Sequence, residues 1–209
     1  MLASVAAGTT LSVAGVGAVK LARRRAELPL ALLPLLFGAQ QLIEGAVWWS
    51  LDHPRAGLNA AATFAYLLFA RVLWPVFVPL SILSLEPVRR RRNGMVVLVA
   101  LGVGVSLDGA VAVLRGPSTS HVAGDSIAYA MPSLLVIAAY LVATCGAALL
   151  SSHVPLRLMG AAAFGLALLT LWLYAAVFVS VWCFFSAILT VMIVVYLGSR
   201  HRSSRLVPV

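Results

Sequence analysis

Six apolar stretches separated by short polar breaks run along this chain between Leu2 and Leu197. The first five cover residues 2–19, 28–51, 58–85, 95–114 and 127–150. A helix of about 20 mostly apolar residues crosses a bilayer, so each predicts one crossing. The last stretch, Leu158 to Leu197, is 40 residues long, twice what one helix needs. Dividing it near Ala176 to Ser180 gives two more helices, 158–176 and 179–197. The expectation is an all-α polytopic membrane protein of seven transmembrane helices, one domain over 1–198, with a basic tail over 199–209.

The breaks carry their own information. Lys20 and Arg23, Arg24 and Arg25 follow the first apolar stretch, whereas a secretory signal places its charge before it. A retained first helix is therefore expected. Asp52-His53-Pro54-Arg55 makes a turn, Pro75 and Pro79 should kink the third helix, and Glu86-Pro87-Val88 leads into Arg89 to Arg92. The longest polar connection is Arg115 to Ser126, broken at Gly116-Pro117; Ser151, Ser152, His153, Pro155 and Arg157 form a short basic turn.

Composition agrees with this pattern. Of 209 residues, 62% are hydrophobic and 10% charged, with a mean hydropathy of +1.04; soluble domains are about a quarter charged. Loops and tails this short leave no room for an independent soluble domain. The net charge of +9 would suit nucleic acid in another chain, but here the basic residues flank apolar runs and mark topology. No nucleic-acid partner is expected, only the lipid bilayer and a possible small solute or ion. Twelve Lys and Arg fall on one side (Lys20, Arg23 to Arg25, Arg89 to Arg92, Arg157, Arg200, Arg202, Arg205) and two, Arg55 and Arg115, on the other. That asymmetry puts the N-terminus outside and the C-terminus in the cytoplasm. Arginine outnumbers lysine fourteen to one, which suggests a high-GC bacterium and hence the bacterial cytoplasmic membrane.

Three ionisable residues lie within spans: Glu44, Arg71 and Asp108. Such residues are expensive in lipid and are functional candidates. At about 1.5 Å per residue, Glu44 and Asp108 lie roughly 10 Å inside the outer ends of their helices and Arg71 near the midplane. The long arginine stem lets all three share an outward-facing pocket formed by helices two, three, four and seven. A structural ion pair, a ligand or ion site, and a snorkelling arginine remain open. Gln41, Glu44, Trp48 and Phe37 fall on one stripe of helix two, with Gln40 beside it, so this face meets other helices or a wet cavity. Trp48, Trp49, Trp172 and Trp182 sit near outer ends, where an aromatic belt is expected. Trp74 stands three residues from Arg71, a spacing suited to cation–π contact. Small-residue spacings at Gly104–Asp108 and Gly160–Phe164 predict close helix packing.

The candidate pocket thus comprises Gln40, Gln41, Glu44, Trp48, Arg71, Trp74, Asp108 and Trp182. Asp52, His53, His121 and Asp125, all assigned to the outer side, are weak candidates for metal ligands of a hydrolase; no HExxH, CxxC, GxSxG or Walker pattern occurs. His153 and His201 fall on the cytoplasmic side. Cys145 and Cys183 lie inside apolar segments, at depths that keep them apart. Retinal is excluded as a cofactor because helix seven has no lysine for a Schiff base. An enzyme is less expected than a solute-binding or structural membrane protein.

Four segments together resemble an uncharacterised family of bacterial multi-pass membrane proteins. They are Leu33 to Trp48 (LPLLFGAQQLIEGAVW), Leu85-Glu86-Pro87, Leu149-Leu150-Ser151-Ser152-His153, and Phe178 to Phe185 (FVSVWCFF). Members typically open Met-Cys-Phe-Ser, whereas this chain opens Met1-Leu2-Ala3-Ser4. The family has no established activity. The resemblance therefore implies the membrane topology and carries over no catalytic residue.

Overall fold

A computed structural model describes residues 1–53, 57–116 and 119–203, with side chains through residue 200. Pro54, Arg55, Pro117 and Arg205, and the side chains of His201 and Arg202, lie outside the described residues. Helix α1 spans Leu2–Leu21 and α2 spans Leu28–Asp52. The third apolar run forms α3 (Leu58–Leu67), a π-helical turn (Leu68–Leu73) and α4 (Trp74–Leu83). Then come α5 (Arg89–Arg115), α6 (Leu134–Leu150), α7 (Val154–Leu173), α8 (Phe178–Leu189) and α9 (Val191–Ser203). Among the described residues six helical segments are long and apolar enough to cross a membrane, and the apolar α6 is shorter. The protein is a membrane-embedded, multi-pass helical protein.

Two boundaries differ from expectation for physical reasons. The fifth apolar run does not begin its helix at Ile127. Strands β1 (Ser120–Ala123) and β2 (Ser126–Tyr129) pair antiparallel, His121 opposite Ala128. Gly124 has φ +62° and no described non-glycine residue has positive φ, the pattern of a type II′ hairpin turn. Pro132 then bars helix, and α6 starts after Ser133, whose Oγ accepts from the Val136 N–H, an N-cap. Conversely, Arg89 to Arg92 are helical rather than a loop. Their long stems carry the charge outward while the backbone continues the helix. The 40-residue run breaks at Tyr174, and a 3-10 turn, Ala175–Val177, leads into α8, close to the expected division.

Two seams hold the bundle. On α1 the buried residues are Ser4, Gly8, Leu11, Gly15 and Ala18, a strip repeating every three or four residues. There the backbones touch: a Cβ on Gly15 would lie 2.4 Å from Leu35 N, and one on Gly38 2.7 Å from Ser12 N. On α5 the small residues in contact are Gly102 and Gly109, not Gly104, which has open space around it. Cβ atoms there would lie 1.9 Å from the Pro75 carbonyl oxygen and 2.4 Å from that of Arg71. These two carbonyls are the ones whose α-helical donors, four residues on, would be Pro79 and Pro75, which have no N–H. Ser106 Oγ, between the glycines, donates to the Val72 carbonyl at 2.6 Å. The expected kink is thus resolved as a π turn just before Pro75, with α5 laid against the altered backbone. Gly160 does pack closely, onto Ala148.

The basic turns gather at one end. Arg91 donates to the Ser151 carbonyl at 2.8 Å, Ser84 Oγ to the Ala26 carbonyl at 2.7 Å, and Arg200 reaches Glu27 at 3.7 Å. The β-hairpin packs at the opposite end. Ser120 Oγ accepts from Asn59 Nδ2 at 3.0 Å and Thr63 Oγ1 at 2.9 Å, and Asn59 also donates to Ser50 Oγ at 3.1 Å.

Candidate functional site

Helix α2 carries the polar stripe inward. Gln40 and Gln41 are fully buried and Glu44 is 1% exposed, so the face expected to avoid lipid does so. The α1 seam brings Ser4 over Glu44, and α8 brings Ser180. Ser180 Oγ donates to Glu44 Oε1 at 2.6 Å and Ser4 Oγ to Oε2 at 3.4 Å. The buried Tyr66 hydroxyl also lies close to this carboxyl, donating to the Val179 carbonyl at 3.4 Å, and its ring stacks on Tyr129 at 4.5 Å.

Glu44 opens onto a cavity of about 590 Å³ at the hairpin end. Ser4, Ser180 and Trp48 line it with the carboxyl, together with Gly124 and Asp125 of the hairpin tip and with Tyr174, Phe184 and Phe185. The cavity belongs to α1, α2, α8 and the hairpin. It is not the expected pocket of helices two, three, four and seven.

Arg71 and Asp108 do not join Glu44. They line a separate, mostly apolar cleft of about 40 Å³ with Cys183 and Trp182 on its wall. The Arg71 guanidinium donates to the Ala130 carbonyl at 2.8 Å, fastening the chain just after β2, while its Nε has no partner. Asp108 is exposed and lines the same cleft as Arg71, without a direct ion pair among the described residues. The other face of Arg71 borders a cavity of about 260 Å³ shared with His121.

Two indoles are also placed differently. Trp74 makes no cation–π contact with Arg71. It is 1% exposed, stacks on Phe37 at 3.9 Å, and donates from Nε1 to Gln40 Oε1 at 2.7 Å. The widened π turn between residues 68 and 73 alters the angular spacing that would set residues 71 and 74 on one face. Trp182 is 7% exposed, stacks on Phe178 and donates to the Ala163 carbonyl at 3.3 Å, so it is a packing residue rather than part of a belt. Trp172, at 80% exposed, faces outward.

The weak metal candidates stay dispersed. His53 stacks on Trp49, with ring centroids 5.0 Å apart, and Asp52, His53, His121 and Asp125 are all exposed. Among the described residues no three His, Cys, Asp or Glu side chains are grouped to hold a metal. Cys145 and Cys183 are free thiols, yet both border one cavity lined by α2, α4, α6, α7, α8 and α9.

A second polar junction was not anticipated. Glu86 is 3% exposed. Its Oε2 accepts from the Ser152 N–H at 2.7 Å, and Oε1 accepts from the Ser152 hydroxyl and from the Val88 N–H at 3.1 Å. His153 Nε2 lies 3.3 Å from the Leu85 carbonyl oxygen. Burial pushes the Glu86 carboxyl up, but the Ser152 hydroxyl, the two N–H donors and nearby His153 outweigh it and hold it below its ordinary value. The signal available in sequence was an acid followed by proline beside a basic turn.

The four segments singled out in the sequence therefore pair off in space: Leu33–Trp48 with Phe178–Phe185 at Glu44–Ser180, and Leu85–Pro87 with Leu149–His153 at Glu86–Ser152. No curated protein and no solved structure matches the chain. The model of a family of unknown function, DUF6629, matches residues 1–207, and the chain belongs to that family.

Proposed function

We propose that this protein crosses the bacterial cytoplasmic membrane seven times, with its arginine-rich end in the cytoplasm, and binds a small solute from the outside. The short α6 is the seventh crossing; it needs one for Arg157 to join the other basic residues on one side. The observation that carries the solute reading is the buried Glu44 carboxyl lining a cavity of about 590 Å³. That volume lies in the usual range for small-molecule sites, roughly 300–1,000 Å³. A carboxyl oriented by two hydroxyls and set among aromatic walls suits recognition of a ligand. The assignment is to binding or passage of a solute rather than to catalysis.

Cysteine accessibility tests both parts. In intact cells a membrane-impermeant maleimide should label Ser126→Cys at the hairpin tip and Ser180→Cys beside Glu44, and should not label Asn93→Cys at the arginine-rich end. The parent chain, whose two cysteines are buried, serves as background. Labelling of Asn93→Cys alone reverses the orientation; an unreactive Ser180→Cys in a folded protein removes the outward-facing cavity.

A further inference from the structure

We infer that the Glu44 cavity selects a small organic cation, an ammonium group carrying apolar substituents. This rests on the cavity being the outward-facing solute site. Its charged side chains, Glu44 and Asp125, are both carboxylic acids, the first buried and the second exposed. No lysine, arginine or histidine side chain borders it among the described residues. Met1 also borders it, with its amino group near Glu44, so the two carboxylic acids outnumber the one cationic group at the cavity.

The walls separate an organic cation from a bare metal ion. Trp48, Tyr174, Phe184 and Phe185 contribute four aromatic rings, and ring faces attract ammonium groups, most strongly where water is excluded. Hard metal ions instead require about six or more oxygen ligands for calcium, or near-octahedral geometry for magnesium. Glu44 offers one carboxyl whose oxygens already accept from Ser4 and Ser180, and no metal-holding group of three is formed among the described residues. The cavity is also far larger than a single dehydrated ion. An ammonium with methyl or larger substituents uses both features, placing its charge toward Glu44 and its carbon surface against the rings.

The test uses full-length protein in lipid nanodiscs, titrated with tetramethylammonium, choline and benzyltrimethylammonium. The neutral isostere 3,3-dimethylbutanol and the anion acetate are run beside them, with binding read by calorimetry. At least one cation should bind, and choline should bind roughly tenfold or more tightly than its neutral isostere, since one desolvated charge contact is worth at least a factor of ten. Glu44→Gln should remove that preference, and Trp48→Leu should weaken the cations more than 3,3-dimethylbutanol, with both variants checked for an unchanged thermal transition. Equal binding of choline and its isostere, or no binding of any cation, overturns the inference. If Ser180→Cys is still labelled from outside, only the ligand class is wrong; if it is not, the outward-facing cavity fails as well.

Discussion

Replacing Gly102 by alanine should separate α5 from the proline-bearing helix. The added Cβ would stand 1.9 Å from the Pro75 carbonyl oxygen, more than 1 Å inside the 3.0 Å that real Cβ contacts essentially never breach. The obstacle is backbone, so no side chain can rotate away. The helices must part, at an overpacking cost of about 1–3 kcal/mol. Parting also stretches the Ser106 hydrogen bond to the Val72 carbonyl, and interhelical bonds in membranes contribute about 0.6 kcal/mol on average. Relative to Gly104→Ala, a loss of about 2–3.5 kcal/mol is expected. Gly104→Ala is the internal control: it sits on the same helix with nothing within 4 Å, and carries the same alanine-for-glycine gain in helix propensity. Reversible unfolding of the two variants in mixed micelles gives the difference directly. If Gly102→Ala and Gly104→Ala agree within about 0.5 kcal/mol, the close seam is not present and the reasoning fails.

Other predictions are independent of that seam. Glu86 is held below its ordinary value of 4.5, so its stabilisation is fully present above that pH and is lost as pH falls through the lower folded value. Glu86→Gln should therefore be less stable than the parent at pH 7, with the gap narrowing on acidification; a gap independent of pH across the acid range contradicts the Ser152 junction. Gln40→Leu should cost about 1–3 kcal/mol, because the buried Trp74 N–H loses its acceptor, and a neutral outcome in thermal unfolding would count against that pairing. Among single-tryptophan variants, lipid-phase quenchers should extinguish Trp172 strongly and Trp182 weakly, given their 80% and 7% exposure; the opposite order would place the bundle inside out.

The spans were legible because membrane helices announce themselves by length. Runs of some 20 apolar residues need no partner to be recognised, and even the break at Tyr174 followed from the excess length of one run. Depth could be counted along each helix as well. Azimuth could not. Counting put Glu44, Arg71 and Asp108 at compatible depths, but whether they face one another depends on rotation about each axis, and the π turn at Leu68–Leu73 changes the rotation of the arginine. Trp182 shows the same limit: its depth fits an interface and its direction puts it in the core. The hairpin was hidden because it straddles the polar connection and the start of the fifth apolar run, although Gly124-Asp125 and Pro132-Ser133 were its local signals. Glu86 was passed over because its partner Ser152 lies 66 residues away.

The π turn also means that the third crossing keeps two phases. Its hairpin-side half points Asn59, Thr63 and Tyr66 at the hairpin and α8, while its other half points Trp74 and Ile82 into the core. One residue more or less in an α-helix turns everything beyond it by about 100°. Deleting one residue between Leu68 and Leu73 would remove the widened turn and leave the two faces in step, whereas straightening the segment to a regular helix with all its residues kept would turn one half against the other. The core half could remain in place only by swinging Tyr66 away from Glu44 and Thr63 away from Ser120. The extra residue in this turn thus fixes the relation between the packing of the bundle and the shape of its cavity.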